Sequence, residues 1–175
     1  LRVEITVFSR DPLDTLARHR VERAVAVRDL TRDEVRSDIE RLDLLILGGG
    51  GILYDADAKV YLREPLIAQE LGVPVMVYAV GAGPLKDTSV QKLVRNCLQH
   101  VSALTVRDRS ARQVLEETGI TREITVTADP AFLIENGDAV LKELAQEEKI
   151  KSVCGRTIAS GMVASPRGNG GVRIN

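Results

Sequence analysis

The 175-residue sequence has no Trp, three Tyr and two Phe. Aromatic platforms on which bases or sugars could stack in series are therefore not visible. Cysteine is equally scarce. Cys97 and Cys154 stand too far apart for a metal-ligand pair or a disulfide framework, which fits a reducing, cytoplasmic setting. His19 and His100 lack a Cys or His at ligand spacing, so each reads as a surface or helix-end histidine. No metal and no cofactor is expected. No apolar run approaches the roughly 20 residues of a membrane span, and no stretch reads as a signal peptide. A surplus of positive charge is missing too: 24 Lys and Arg stand against 25 Asp and Glu. That excludes a nucleic-acid protein led by phosphate neutralisation. No internal repeat is found, and the length suits one ordinary domain, or one domain plus a tail.

What is present centres on residues 43–55. Leu44 to Leu47 is apolar at every position, which predicts a strand buried on both faces. It runs into Gly48, Gly49, Gly50 and Gly51, a turn without β-carbons that can adopt φ > 0 and approach a ligand or a neighbouring element closely. A dinucleotide fingerprint would need glycine at 53 or 54, where Leu53 and Tyr54 stand. Asp55 follows.

Elsewhere strands and helices alternate. Strands are expected at 3–7, 24–27, 44–47, 73–80, 103–106 and 123–127. Asp11-Pro12 begins a short helix to about His19, with Pro at its first position. Thr31 and Glu34 form a capping box for a helix to about Leu42, striped by Val35, Ile39 and Leu42. Lys59 to Leu71 is mostly helical, restarted or kinked at Pro65 and stopped at Gly72. Thr88 and Gln91 form a second capping box, for a helix to about Gln99 with Val90, Leu93, Val94 and Cys97 inside. Asp108 caps a helix that ends before Gly119 and turns Ala111, Val114 and Leu115 to the core.

This alternation predicts an α/β fold: a parallel sheet with helices on both faces, built from right-handed βαβ units in one layer from Arg2 to about Phe132. Loops that follow strands then gather at one edge, where ligands bind in such sheets. Four unusual turns belong there: Gly48–Gly51, Gly81-Ala82-Gly83-Pro84, Arg107–Ser110 and Asp129–Ala131. Each alone is explained by packing or capping; together they point to a site.

In order and spacing, "DLLILGGGGILYD", "PVMVYAVGAGPL", "ALTVRDRSARQVLEETG" and "ITVTADPAF" resemble the N-terminal half of the polysaccharide pyruvyl transferase family, over about Leu44 to Phe132 and more loosely from Arg2. The resemblance implies a Rossmann-like domain, residues 1–135, of a two-domain enzyme of the GT-B type. A linking helix over 136–150 and an irregular tail over 151–175, read as a remnant of the second domain, would follow. It implies transfer of a pyruvyl group from phosphoenolpyruvate to a sugar of a cell-wall or extracellular polysaccharide precursor, forming a ketal. The acceptor would be a lipid-linked or nucleotide-linked saccharide. Peripheral membrane contact and oligomers are compatible with it. The family's opening strand with G-x-x-N-x-G-D, and its histidine-bearing second domain, have no counterpart here. The chain alone is accordingly expected to be inactive, and no catalytic acid is named.

Substrate-binding candidates are Gly48, Gly49, Gly50, Gly51, Asp55, Gly81, Gly83, Arg107, Asp108 and Asp129. Arg107 is the candidate clamp, because its planar fork matches a phosphate or a carboxylate; a salt bridge to Asp108 or Asp129 is its alternative role. Two other functions fit the scaffold. One is a GT-B-like glycosyltransferase using a nucleotide sugar; the other is a non-catalytic binding domain.

Overall fold

A computed structural model describes residues 3–27 and 29–133. The expected linking helix and tail lie outside the described residues. The strands are β1 (Thr6–Ser9), β2 (Arg23–Ala26), β3 (Leu45–Gly48), β4 (Gly51–Leu53), β5 (Val75–Ala82), β6 (Ala103–Val106) and β7 (Thr125–Val126). The helices are α1 (Pro12–Arg18), α2 (Arg32–Ile39), α3 (Ala58–Tyr61), α4 (Arg63–Glu70), α5 (Thr88–Leu98) and α6 (Arg109–Glu117), and a 3-10 turn spans Pro130–Leu133. Every ladder is parallel. The architecture is α/β and Rossmann-like.

Local signals account for most helix ends. Asp11 caps α1 by accepting from Asp14 N–H, and the Thr31–Glu34 capping box is complete. The hydrogen bonds from Thr31, backbone first and hydroxyl second, hold the Glu34 carboxyl below its usual range. Pro65 sits in the first turn of α4, where the missing N–H would have had no helical partner. The expected Lys59–Leu71 helix is thereby split into α3 and α4. Gly72 terminates α4 with φ +74°. The second expected capping box does not form. Asp87 caps α5 instead, accepting from Ser89 and Val90 N–H, and the Gln91 amide turns back to the Leu85 carbonyl.

The single layer expected from the sequence is two sheets. β3-β5-β6-β7 form one, with β4 beside β5, and β1-β2 form another. Strands share a layer only through a common ladder, and none joins β1 to β3. Side chains hold the pair in place. Phe8 and Leu30 pack against the main core, Arg23 pairs with Asp38 of α2, and Arg63 of α4 donates to the carbonyls of Val27 and Leu30.

In the larger sheet each crossover steps to the next strand in one direction, from β3 to β5, β6 and β7. Right-handed connections then place α4, α5 and α6 on the same face. That face is the core: Leu45, Val75, Val77, Leu104 and Val106 meet Ile67, Val90, Val94, Leu98, Ala111 and Leu115. Leu44 and Ile46, expected to be buried, are 43% and 57% exposed. Strand periodicity sends them to the opposite face, which no described helix crossover covers.

β5 contains the one positive-φ residue other than glycine among those described: Ala79, φ +49° and buried. A left-handed L-residue costs roughly 1–2 kcal/mol. It marks a bulge, since four residues of β5, from Val77 to Val80, face three of β6, from Leu104 to Val106. Thr105 supports it. Its hydroxyl accepts from Ala79 N–H at 2.8 Å and donates to the Val77 carbonyl at 3.3 Å.

Thr105→Val therefore strands a buried N–H. It is expected to lower stability in urea titrations by about 1–3 kcal/mol, with Thr105→Ser close to the parent; equal stability of the Val variant would refute the role. Burial in the core pushes the Cys97 thiol up from its ordinary 9.0 to about 12. The protonated thiol is thus favoured by folding. Its contribution is full below about pH 9 and is lost as pH rises toward 12. Cys97→Ala is expected to flatten the alkaline limb of the stability profile.

Candidate functional site

The four loops meet at the carboxyl edge of the larger sheet, tied by backbone bonds. Gly49 N–H donates to the Tyr78 carbonyl at 3.3 Å, Gly81 N–H to that of Gly50 at 2.8 Å, and Gly83 N–H to that of Leu53 at 3.1 Å. Gly49 and Gly50 adopt φ +76° and +72°, with open space where a β-carbon would project. They supply the turn that only glycine makes cheaply. Gly51 is not part of that turn. It begins β4 and pairs with Gly81, a strand that glycine composition conceals.

Gly51, Gly81 and Gly83 are small for another reason. The Tyr54 ring lies against Gly51 and Gly83, and a β-carbon at Gly83 would fall 1.6 Å from its Cε1. The Arg107 guanidinium lies across Gly81, where a β-carbon would come within 2.9 Å of Cζ, Nε and Nη2. Tyr54 escaped the sequence reading. The one available signal was an aromatic residue three positions after the last glycine of the run.

Arg107 follows β6, and its N–H donates to the Val80 carbonyl at 3.1 Å. Its side chain is about one-quarter exposed. Nη1 donates to Asp129 Oδ2 at 3.3 Å, and Nε lies 3.5 Å from Asp108 Oδ2. The other oxygens of these carboxylates are also engaged. Asp108 Oδ1 caps α6 by accepting from Ala111 N–H, and Asp129 Oδ1 accepts from Ala131 N–H. Each acid fixes its own loop and Arg107 at once. Nη2 makes no hydrogen bond to any described residue.

Thus Gly48–Gly51, Gly81, Gly83, Arg107, Asp108 and Asp129 come together. Asp55 serves the next loop: its carboxylate accepts from Lys86 and Asp87 N–H at 2.9–3.1 Å. His100 follows the end of α5, with Nδ1 2.9 Å from the Asn96 carbonyl. No group of three or more His, Cys, Asp or Glu among the described residues could hold a metal ion. No helix among them is long and apolar enough to cross a membrane.

An open hollow of about 580 Å³ lies between α6 and β7, lined by Arg109, Arg112, Gln113, Glu116, Glu123 and Val126; it touches the Arg107–Ser110 loop through Arg109. Its Arg112 is already paired with Glu116 at 2.7 Å, and its Gln113 amide donates to Glu117 at 2.9 Å. The edge is the better candidate on chemistry.

Residues 1–163 match the family model described as "Polysaccharide pyruvyl transferase". The chain belongs to that family, which implies a saccharide acceptor. No curated protein and no solved structure matches it.

Gly83→Ala is expected to destabilise the fold by about 1–3 kcal/mol, the usual penalty of overpacking, with Tyr54→Ala in the same chain restoring part of it. Additive losses in that double-mutant cycle would show that the ring and the glycine do not compete for one space.

Proposed function

We propose that this member of the polysaccharide pyruvyl transferase family receives phosphoenolpyruvate at the carboxyl edge and passes its pyruvyl group to a sugar as a ketal. The observation that carries the reading is Arg107: one guanidinium, oriented by two carboxylates, at the meeting point of four strand-following loops. Phosphoenolpyruvate offers a phosphate and a carboxylate, and Nη2 is the arm of the fork not already used. The N-terminus of α6 adds positive potential, about half a charge, beside it.

The reaction balances without a further reactant. A proton adds to the methylene carbon, leaving a cationic centre at the carbon that bears the phosphate. A sugar hydroxyl oxygen attacks that centre and loses its proton. The bond to phosphate breaks, phosphate leaves with its electron pair, and the oxygen of a second hydroxyl of the same sugar attacks the same carbon to close the ketal, its proton passing to the released phosphate. Arg107 lowers the cost of the anionic donor. In this reading Asp108 and Asp129 keep its fork in place, and Gly49 and Gly50 present an unobstructed backbone toward the ligand. Asp55 holds the 84–87 loop in shape. The acid that protonates the methylene carbon is not assigned to any residue. The acceptor is a lipid-linked or nucleotide-linked saccharide, and residues 1–135 act as the unit that handles the donor.

One desolvated, charge-assisted contact contributes about 1.5–3 kcal/mol, on the order of ten- to a hundredfold in affinity. Arg107→Ala is expected to weaken phosphoenolpyruvate binding by that factor in calorimetric titration, and Arg107→Lys to recover only part, since a fork becomes a point charge. Unchanged affinity of the folded variant would remove Arg107 from the site and leave it as a structural ion pair. Binding of a nucleoside diphosphate in place of phosphoenolpyruvate would favour a nucleotide-sugar glycosyltransferase.

A further inference from the structure

Packing accounts for the Tyr54 ring but not for its hydroxyl. A phenylalanine would fill the same space against Gly51 and Gly83. Yet room is left for the hydroxyl end: a β-carbon at Gly51 would lie 3.0 Å from the phenol oxygen and 2.9 Å from Cε2. A β-carbon at Gly81 would lie 2.9 Å from Arg107 Nη2. Gly51 and Gly81 are register partners in the parallel β4–β5 pair, so positions 51 and 81 share one face of the strands. The phenol oxygen and Nη2 therefore stand beside neighbouring positions of that face, which a strand spacing of ~4.8 Å separates.

Both groups are held from behind and idle in front. The Tyr54 carbonyl accepts from Asp57 and Ala58 N–H at 3.1 and 2.8 Å. Arg107 is held by Asp108 and Asp129. Neither the hydroxyl nor Nη2 makes a hydrogen bond to a described residue, and both side chains are partly exposed. Guanidinium can only donate, and a phenol beside it can donate too. A ligand group that only accepts suits them best. Hydrogen bonds of about 2.7–3.0 Å from each side reach one oxygen, or two oxygens of one phosphate or carboxylate, across a gap of that width.

We propose that the Tyr54 hydroxyl and Arg107 Nη2 form a two-donor seat for a single oxyanion, the phosphate or the carboxylate of phosphoenolpyruvate. This rests on the reading of the carboxyl edge as the phosphoenolpyruvate site and adds a binding residue to it.

Tyr54→Phe keeps the ring and removes only the hydroxyl. In calorimetric titration of the full chain it is expected to weaken phosphoenolpyruvate binding about tenfold, with an unchanged melting midpoint. Because one oxyanion takes both contacts, the same substitution should cost far less in an Arg107→Ala background. Inorganic phosphate and pyruvate identify the seated group, as the one whose affinity falls in Tyr54→Phe. A further readout needs no variant: the Cζ carbon of Tyr54 should shift on saturation of the unaltered chain with that anion, and those of Tyr61 and Tyr78 should not. Unchanged phosphoenolpyruvate affinity in Tyr54→Phe, with Arg107→Ala weakened, would overturn the seat and leave the proposed function standing. Additive losses in the double variant, or a lowered melting midpoint with unchanged affinity, would also overturn it. Hydroxyl-dependent binding of inorganic phosphate without binding of phosphoenolpyruvate would keep the seat and remove the proposed function. A full chain that binds none of the three anions would overturn both.

Discussion

A phenol ring and a guanidinium fill the space that β-carbons would take at Gly83 and Gly81. The candidate edge depends on that exchange of volume. Without it, Tyr54 could not bridge the β4 loop to the end of β5, and Arg107 could not lie flat between Gly81 and Asp129. The glycines of this edge thus divide by cause. Gly49 and Gly50 are glycine for their backbone angles, whereas Gly51, Gly81 and Gly83 are glycine so that a side chain can pass. Only the first pair leaves backbone open to a ligand.

The second dependence is on β5. It is the strand to which β3, β4 and β6 all attach, and its bulge at Ala79 sets where the following residues point. An extra residue in one strand increases local twist and re-aims what comes after it. Here what comes after is Val80, whose carbonyl receives Arg107 N–H, and Gly81, over which that arginine lies. A strained alanine stapled by Thr105 in the neighbouring strand is consistent with a backbone shaped for the site rather than for stability alone. Both dependences meet in Arg107, which is positioned by main chain from β5 and by carboxylates from the loops after β6 and β7.

Much of this was legible in the sequence where the cause is local. Thr31 with Glu34, Asp108 before Ala111, and Gly72 after α4 are contacts within a few residues, and each forms as its residue types suggest. The second capping box failed for the same local reason: Asp87 stands one residue ahead of Thr88 and is the stronger cap. Strand edges were less legible, because β1 begins at Thr6 rather than Val3, where pairing with Arg23 begins. Invisible were the features set by distant neighbours. Ala79 sits in an apolar run that reads as straight strand. Gly51 reads as turn and is strand. Leu44 and Ile46 read as buried on both faces, yet one face is the core and the other is open. The convergence of loops was foreseen, but the reason for three of its glycines required Tyr54 and Arg107 in place.

The most direct test of the account is a titration of the full chain with phosphoenolpyruvate, followed by amide chemical shifts residue by residue. The expected result is a set of saturating shifts with one common dissociation constant at Gly49, Gly50, Gly81, Arg107 and the first turn of α6. Shifts confined to Glu116, Glu123 and Ile124 in the hollow between α6 and β7, or none at the carboxyl edge at millimolar donor, would contradict the claim that this edge is where the donor binds.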